Sequence, residues 1–150
     1  MLKFLKGPGA KKLAARSSAA SSSSSTKPGL LSFSLSHSWL DKAEADELFK
    51  SLLQLDWQEE TIKMFGKDVL VPRKVLWFGD VSYRYAGTDH LPTGWPEPLR
   101  AIKSRLEKEL GCTFHGCLGN YYADGKQYMG WHADDEKSID AGAPIASVSL

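Results

Sequence analysis

The residues best placed by type and spacing to do chemistry are His132 and Asp134, separated by Ala133. On an extended backbone, side chains two residues apart project from one face, so this imidazole and carboxylate can converge on a single cation. One His and one carboxylate make up two thirds of the facial triad of non-haem Fe(II) oxygenases, a set that leaves coordination positions open for cosubstrate and oxygen. A zinc hydrolase fits less well, because the chain holds no His-Glu-x-x-His run and no Cys-x-x-Cys pair. On its own the tripeptide also suits a polar surface turn. Cys112, His115 and Cys117 form a second cluster of metal-binding types. On a strand, however, position 112 faces away from 115 and 117, so core thiols are expected there.

These residues need a framework. Order is expected from about Leu30, with Ser38 capping a helix and Asp41 favouring its positive end. Ala45, Leu48, Phe49 and Leu52 repeat at helical spacing and give it one buried face. Strand-like residues with turns run from Trp57 to Tyr85, and Thr88–Pro98, rich in Pro, Gly and Thr, reads as a loop. Pro98 opens a second helix with Leu99, Ile102, Leu106 and Leu110 as its core stripe and Gly111 as its end. Phe114–Tyr122 and Tyr128–Asp134 are expected as two strands about a turn at Asp124–Gly125. Ala146, Val148 and Leu150 alternate with Ser147 and Ser149 as a half-buried strand. Helices first and strands later predict an α+β domain around a mostly antiparallel sheet. A domain rarely stops inside such a strand, whose edge would stand unpaired, so a fragment of a longer protein is expected.

Charge is divided along the chain. The formal net charge is +1, yet residues 1–40 carry +6 with no acid and residues 41–150 carry −5. A uniformly basic nucleic-acid-binding surface is excluded, so any such contact is local. Residues 1–29, basic and Ser-rich with the low-complexity stretch Ser17–Ser25, are expected to be disordered. An acid-free, Ser-containing start also suits an organelle transit peptide, although Arg16 is its only Arg and Gly7-Pro8-Gly9 would interrupt an amphipathic helix. Two cysteines are too few for a disulfide scaffold and suit a reducing compartment. No apolar run approaches the roughly 20 residues of a membrane helix, and no membrane partner is expected.

Three motifs stand in order: Asn120-Tyr121-Tyr122-Ala123-Asp124-Gly125, Trp131-His132-Ala133-Asp134-Asp135-Glu136, and Pro144-Ile145-Ala146-Ser147-Val148-Ser149-Leu150. Together they resemble the AlkB family of Fe(II)- and 2-oxoglutarate-dependent dioxygenases, over roughly Phe65 to the end of the chain. The resemblance implies a double-stranded β-helix (jelly-roll, cupin-like) core preceded by helices, here residues 30–150. It implies Fe(II) on His132 and Asp134, and 2-oxoglutarate hydrogen-bonded by Asn120 and Tyr122. The family's third ligand, a distal His, and the Arg residues that pair with 2-oxoglutarate are not in this sequence. The chain is therefore expected to be incomplete at its C-terminal side and inactive by itself.

The family's substrates are alkylated bases, which must be everted from a duplex to reach a buried metal. Met64-Phe65-Gly66-Lys67, followed by Pro72-Arg73-Lys74, resembles the hydrophobic finger of the AlkB homologue that prefers double-stranded DNA. Met64, Phe65, Gly66 and Arg73 are thereby assigned to substrate, with a hairpin whose Phe packs in the core as the alternative. By the same resemblance Tyr85 stacks on the flipped base, with the His132 ring opposite, and Tyr83 offers its hydroxyl. Asp135 and Glu136 accept from an exocyclic amine and favour a cationic methylated base. Lys3-Phe4-Leu5-Lys6 resembles the peptide with which some family members dock on the replication sliding clamp, which would make the protein nuclear. The implied function is oxidative demethylation of 1-methyladenine and 3-methylcytosine in duplex DNA by a monomer. RNA demethylation, or a catalytically dead fragment that binds DNA or the clamp, are the alternatives.

Overall fold

The computed structural model describes residues 1–7, 33–64, 66–85, 88–132, 134, 139–140 and 142–150. Its elements, in chain order, are β1 (Leu2–Leu5), α1 (Lys42–Leu53), β2 (Gln58–Met64), β3 (Lys67–Gly79), β4 (Tyr83–Tyr85), β5 (Thr88–His90), α2 (Glu97–Leu110), β6 (Gly116–Tyr121) and β7 (Ala146–Val148). This is the α+β arrangement expected from the order of patterns.

Five strands form one sheet in the order β2-β3-β6-β1-β7, antiparallel throughout, while β4 and β5 form a separate two-stranded sheet. Alternation along the strands separates two faces. Leu2 and Phe4 of β1, Phe78 of β3, Cys117 of β6 and Ala146 and Val148 of β7 join Leu48 and Leu52 of α1 and Leu99, Ile102 and Leu106 of α2 in the main core. The opposite face carries a smaller cluster of Leu5, Trp77, Tyr83, Leu118 and Ile139. Lys3, Arg73 and Asn120 share the parity of that second face.

Disorder over residues 1–29 does not hold at its beginning. Leu2–Leu5 is an interior strand, pairing Leu2 with Gly119 and Leu5 with Gly116 on one side and Leu2 with Val148 on the other. Phe4 is fully buried, stacked on Trp95 at 6.2 Å and edge-on to Phe114 at 5.9 Å. Four residues with two large apolar side chains on one face bury enough surface to offset their ordering entropy, which the low-complexity stretch behind them cannot do. Residues 8–32 lie outside the described part.

The helices follow their sequence signals with two shifts. Asp41, not Ser38, caps α1: its carboxylate accepts the Glu44 N–H at 2.8 Å, and the Glu44 carboxylate accepts the Asp41 N–H at 3.1 Å, a reciprocal capping box. Ser38 instead takes a positive φ of 56° in the preceding turn. In α2, Leu99, Ile102 and Leu106 are buried as expected, but Leu110 is 46% exposed, one turn past the edge of the core. Gly111 ends the helix in the left-handed conformation at φ 62°. The loop expected over Thr88–Pro98 contributes the short strand β5. Tyr128–Asp134 was expected as a strand, but its described residues join no ladder.

Close packing fixes the junction of β3 and β6. A side chain at Gly116 would meet the Trp77 ring at 2.1 Å, and one at Gly79, where φ is 145°, would meet the His115 carbonyl oxygen at 2.4 Å. These two glycines pair across the strands and let the indole lie flat on the sheet.

Candidate metal and cosubstrate site

His132 and Asp134 lie on the sheet face opposite the helices. Gly130 sets the imidazole: its carbonyl is 2.9 Å from His132 Nδ1. A carbonyl only accepts, so Nδ1 carries the proton and Nε2 presents its lone pair. That nitrogen is 3.5 Å from Asp134 Oδ1. The two donors thus converge although no strand holds them, and the backbone carbonyl behind the ring supplies the orienting contact that metal-binding histidines require. A neutral imidazole nitrogen beside a carboxylate is a donor set suited to Fe(II). Among the described residues no group of three or more His, Cys, Asp or Glu assembles around a common point.

A third side chain completes the local charge balance. Lys3 of β1 places its ammonium 2.8 Å from Oδ1 and 2.7 Å from Oδ2 of Asp134. Lys3 is only 8% exposed, and the Asp134 side chain 25%. Reading residue types missed this contact because it joins positions 131 apart in the chain. The signal was the alternation Leu2-Lys3-Phe4, which puts a cation on the face opposite two large apolar groups.

Asn120 projects from β6 on the same face and is buried, its Oδ1 accepting from Arg73 Nε at 2.6 Å. Its backbone is tied to the chain terminus, with the Met1 amino group donating to the Asn120 carbonyl at 3.0 Å and the Asn120 N–H donating to the Met1 carbonyl at 2.9 Å. Burial lowers the pKa of that amino group below its ordinary value of 8.0. Tyr122 stands one residue beyond β6 and is half-buried, while Tyr121, on the other face, packs against Trp57 at 5.7 Å.

The residues assigned to substrate are dispersed. Met64 and Lys67 pair at the ends of β2 and β3, and Gly66 between them takes φ 76° and faces open space. Phe65, Asp135 and Glu136, and the side chains of Met64 and Tyr85, lie outside the described residues. Arg73 does not face outward toward phosphate. It is 4% exposed and held on Asn120, because Val71, Arg73, Val75 and Trp77 form the inward row of β3. Tyr83 is 4% exposed, its ring 4.6 Å from that of Trp77 and 6.1 Å from that of His90, so packing rather than a base occupies both its neighbours. His90, to which the sequence assigned no role, places Nε2 3.3 Å from Glu60 Oε1 in a largely buried pair.

Cys112 and Cys117 are free thiols. Cys117 is fully buried, and burial raises its pKa far above the ordinary thiol value of 9.0. Burial and, behind it, the Glu107 carboxylate raise that of Cys112. Neither thiol is an available thiolate.

The sheet thus carries the His132–Asp134 pair and the buried Asn120 on the face away from the helices. The chain belongs to the 2OG-Fe(II) oxygenase superfamily, whose family model matches residues 32–150. Among curated proteins it is similar to DNA oxidative demethylase ALKBH2 of Bos taurus, with 38% identity over 115 residues, which are 73% of this chain and 41% of that protein. It is similar also to human alpha-ketoglutarate-dependent dioxygenase alkB homolog 3, 33% identical over 114 residues, 75% of this chain and 40% of the relative. Arabidopsis thaliana ALKBH2 is 34% identical over 102 residues, 64% and 32% of the two lengths. The chain spans about two fifths of the length of the first two of these relatives.

Proposed function

We propose that this chain is the metal-pair-bearing part of an AlkB-like DNA dealkylase, in which residues 30–150 belong to a dioxygenase domain. The reading rests chiefly on His132 Nε2 lying 3.5 Å from Asp134 Oδ1 with Nδ1 anchored on Gly130. His132 and Asp134 hold Fe(II), and Asn120 and Tyr122 donate hydrogen bonds to 2-oxoglutarate. Bound together with O2, these groups supply the oxidising chemistry: the N-alkyl carbon is hydroxylated, 2-oxoglutarate becomes succinate and CO2, and the hydroxymethyl base loses formaldehyde. The protein's own share is orientation. The Gly130 carbonyl fixes the imidazole, and Arg73 fixes the Asn120 amide.

The substrate reading is alkylated DNA, supported by the names of the relatives, and its duplex form is the part of the reading attached to the β2–β3 hairpin. Met64, Phe65 and Gly66 form that wedge. Tyr85 stacks on the everted base, and Asp135 and Glu136 favour its positive charge. Arg73 and Tyr83 are left out of the substrate contacts, being committed inside the fold. We further assign the protein to the nucleus. Docking of Lys3–Lys6 on the sliding clamp requires β1 to leave the sheet first, since Phe4 is fully buried.

Two measurements test the reading. Fe(II) or Co(II) affinity should fall at least about tenfold in His132→Ala and Asp134→Ala, in line with the loss of one ligand of a small set. Succinate and formaldehyde release by the complete gene product should be faster with 1-methyladenine in duplex DNA than in single-stranded RNA. Unchanged metal affinity in both variants refutes the site, and faster RNA turnover transfers the function to RNA demethylation.

A further inference from the structure

We propose that β1 is a displaceable strand whose Lys3 ammonium stands in for the metal on Asp134, so that strand docking and divalent-metal binding exclude each other. The inference rests on the metal reading above and adds a competitor to it.

Three observations carry it. The ammonium contacts both carboxylate oxygens of Asp134, and His132 Nε2 approaches the same Oδ1 at 3.5 Å, so Lys3, His132 and Asp134 share one small volume. A divalent ion bound to His132 and Asp134 would lie within a few ångströms of Nζ, where like charges repel at short range. Lysine is almost never this buried without a partner, and Asp134 is the only ion-pair partner Lys3 has among the described residues. Metal capture of Asp134 would therefore leave a buried, uncompensated cation, which destabilises the strand that carries it.

The strand also touches the cosubstrate side. Met1 makes two backbone hydrogen bonds with Asn120, and at the other end the Asp140 N–H donates to the Lys6 carbonyl while Lys6 Nζ lies 3.4 Å from the Asp140 carboxylate. One short segment thus ties down Asp134 and Asn120, two of the four residues proposed to receive ligands. Phe4 anchors it in the core on one face; on the other Leu5 joins the smaller apolar cluster, and the charge of Lys3 is met by a single carboxylate. Withdrawal of β1 opens a slot between β6 and β7 and frees Asp134 in the same motion.

The test uses the 150-residue chain and Co(II) alone as probe, followed by calorimetry and by its visible absorption band. Lys3→Met is expected to bind Co(II) at least about tenfold more tightly than wild type, because the metal no longer has to displace an ammonium from Asp134. Lys3→Arg keeps the cation and is expected to stay at the wild-type affinity. Saturating Co(II) is expected to speed amide hydrogen exchange at Leu2–Leu5 of the wild type by about tenfold or more, on the same argument. Equal Co(II) affinity in all three proteins overturns the proposal and leaves the metal site intact. Co(II) binding by none of them, or binding that survives Asp134→Ala, overturns the metal site itself and the proposal with it. If Lys3→Met fails to fold, hydrogen exchange on the wild type decides: β1 amides that stay protected at saturating Co(II) refute displacement.

Discussion

Replacing Phe4 by alanine removes a ring that has no solvent exposure and lies against Trp95 and Phe114 in the main core. A buried Phe→Ala change costs about 3–5 kcal/mol, the transfer free energy of the ring plus the cavity it leaves. Here the cavity opens between helix α2 and the sheet, walled by two aromatic rings that cannot collapse without moving the helix. The upper part of that range is expected. A domain of this size has about 5–15 kcal/mol in total, so a third or more of the stability rests on one residue near the amino terminus. In urea, with a slope near 2 kcal/mol per molar, the midpoint should fall by about 1.5–2.5 M. The melting temperature should drop by roughly 6–20 °C. Leu35→Ala, at a side chain 72% exposed, is the matched control and should shift stability by less than about 0.5 kcal/mol. If Phe4→Ala and Leu35→Ala give the same midpoint, β1 is not part of the folded sheet and every conclusion drawn from its position fails.

Other expectations concern separate parts of the fold. Gly116→Ala drives a methyl group to 2.1 Å from the Trp77 ring and should destabilise by about 1–3 kcal/mol or more, read from the urea midpoint with the shift of tryptophan fluorescence. Asp41→Ala removes the carboxylate that accepts the Glu44 N–H, leaving its own backbone N–H to Glu44, and should cost about 1 kcal/mol, whereas Ser38→Ala should cost far less. Cys117 keeps its proton in the folded chain where the unfolded chain loses it, because burial raises its pKa from the ordinary 9.0. Its contribution to stability is therefore fully present below pH 9.0 and is lost as pH rises further, and Cys117→Ala should flatten that alkaline decline. At pH 8 iodoacetamide should leave Cys117 unmodified until denaturant is added, the reaction being followed by mass spectrometry.

The local part of the structure was legible and the non-local part was not. Leu48 and Leu52, then Leu99, Ile102 and Leu106, mark helix faces because the 3.6-residue period is written in consecutive residues, and Gly111 marks an end by its backbone alone. Asp41 displaced Ser38 as the cap because the reciprocal bond to Glu44 satisfies two terminal amides where a lone hydroxyl satisfies one. The inward row of β3 was also readable: Val71, Val75 and Trp77 fix the parity that buries Arg73, and a substrate role for it overlooked that parity. His132 and Asp134 announced themselves by type and spacing. Their partner Lys3 could not be found the same way, since a charged residue in a four-residue apolar segment says nothing of which strands will flank it.

The position of β1 also governs how the chain can fold. Its residues are made before their partners, pairing with positions 116–119 and 146–148, more than a hundred residues later. Nascent β6 therefore exists for a time with one flank uncovered, exposing Cys117 and its unsatisfied amides until the opening segment threads back beside it. Loop closure over such a span is slow, and sheets finished by their earliest-made strand pass through states prone to self-association. Completion of this sheet thus includes an insertion step, and a chaperone that shields the β6 edge should raise the yield more than one that acts on the helices.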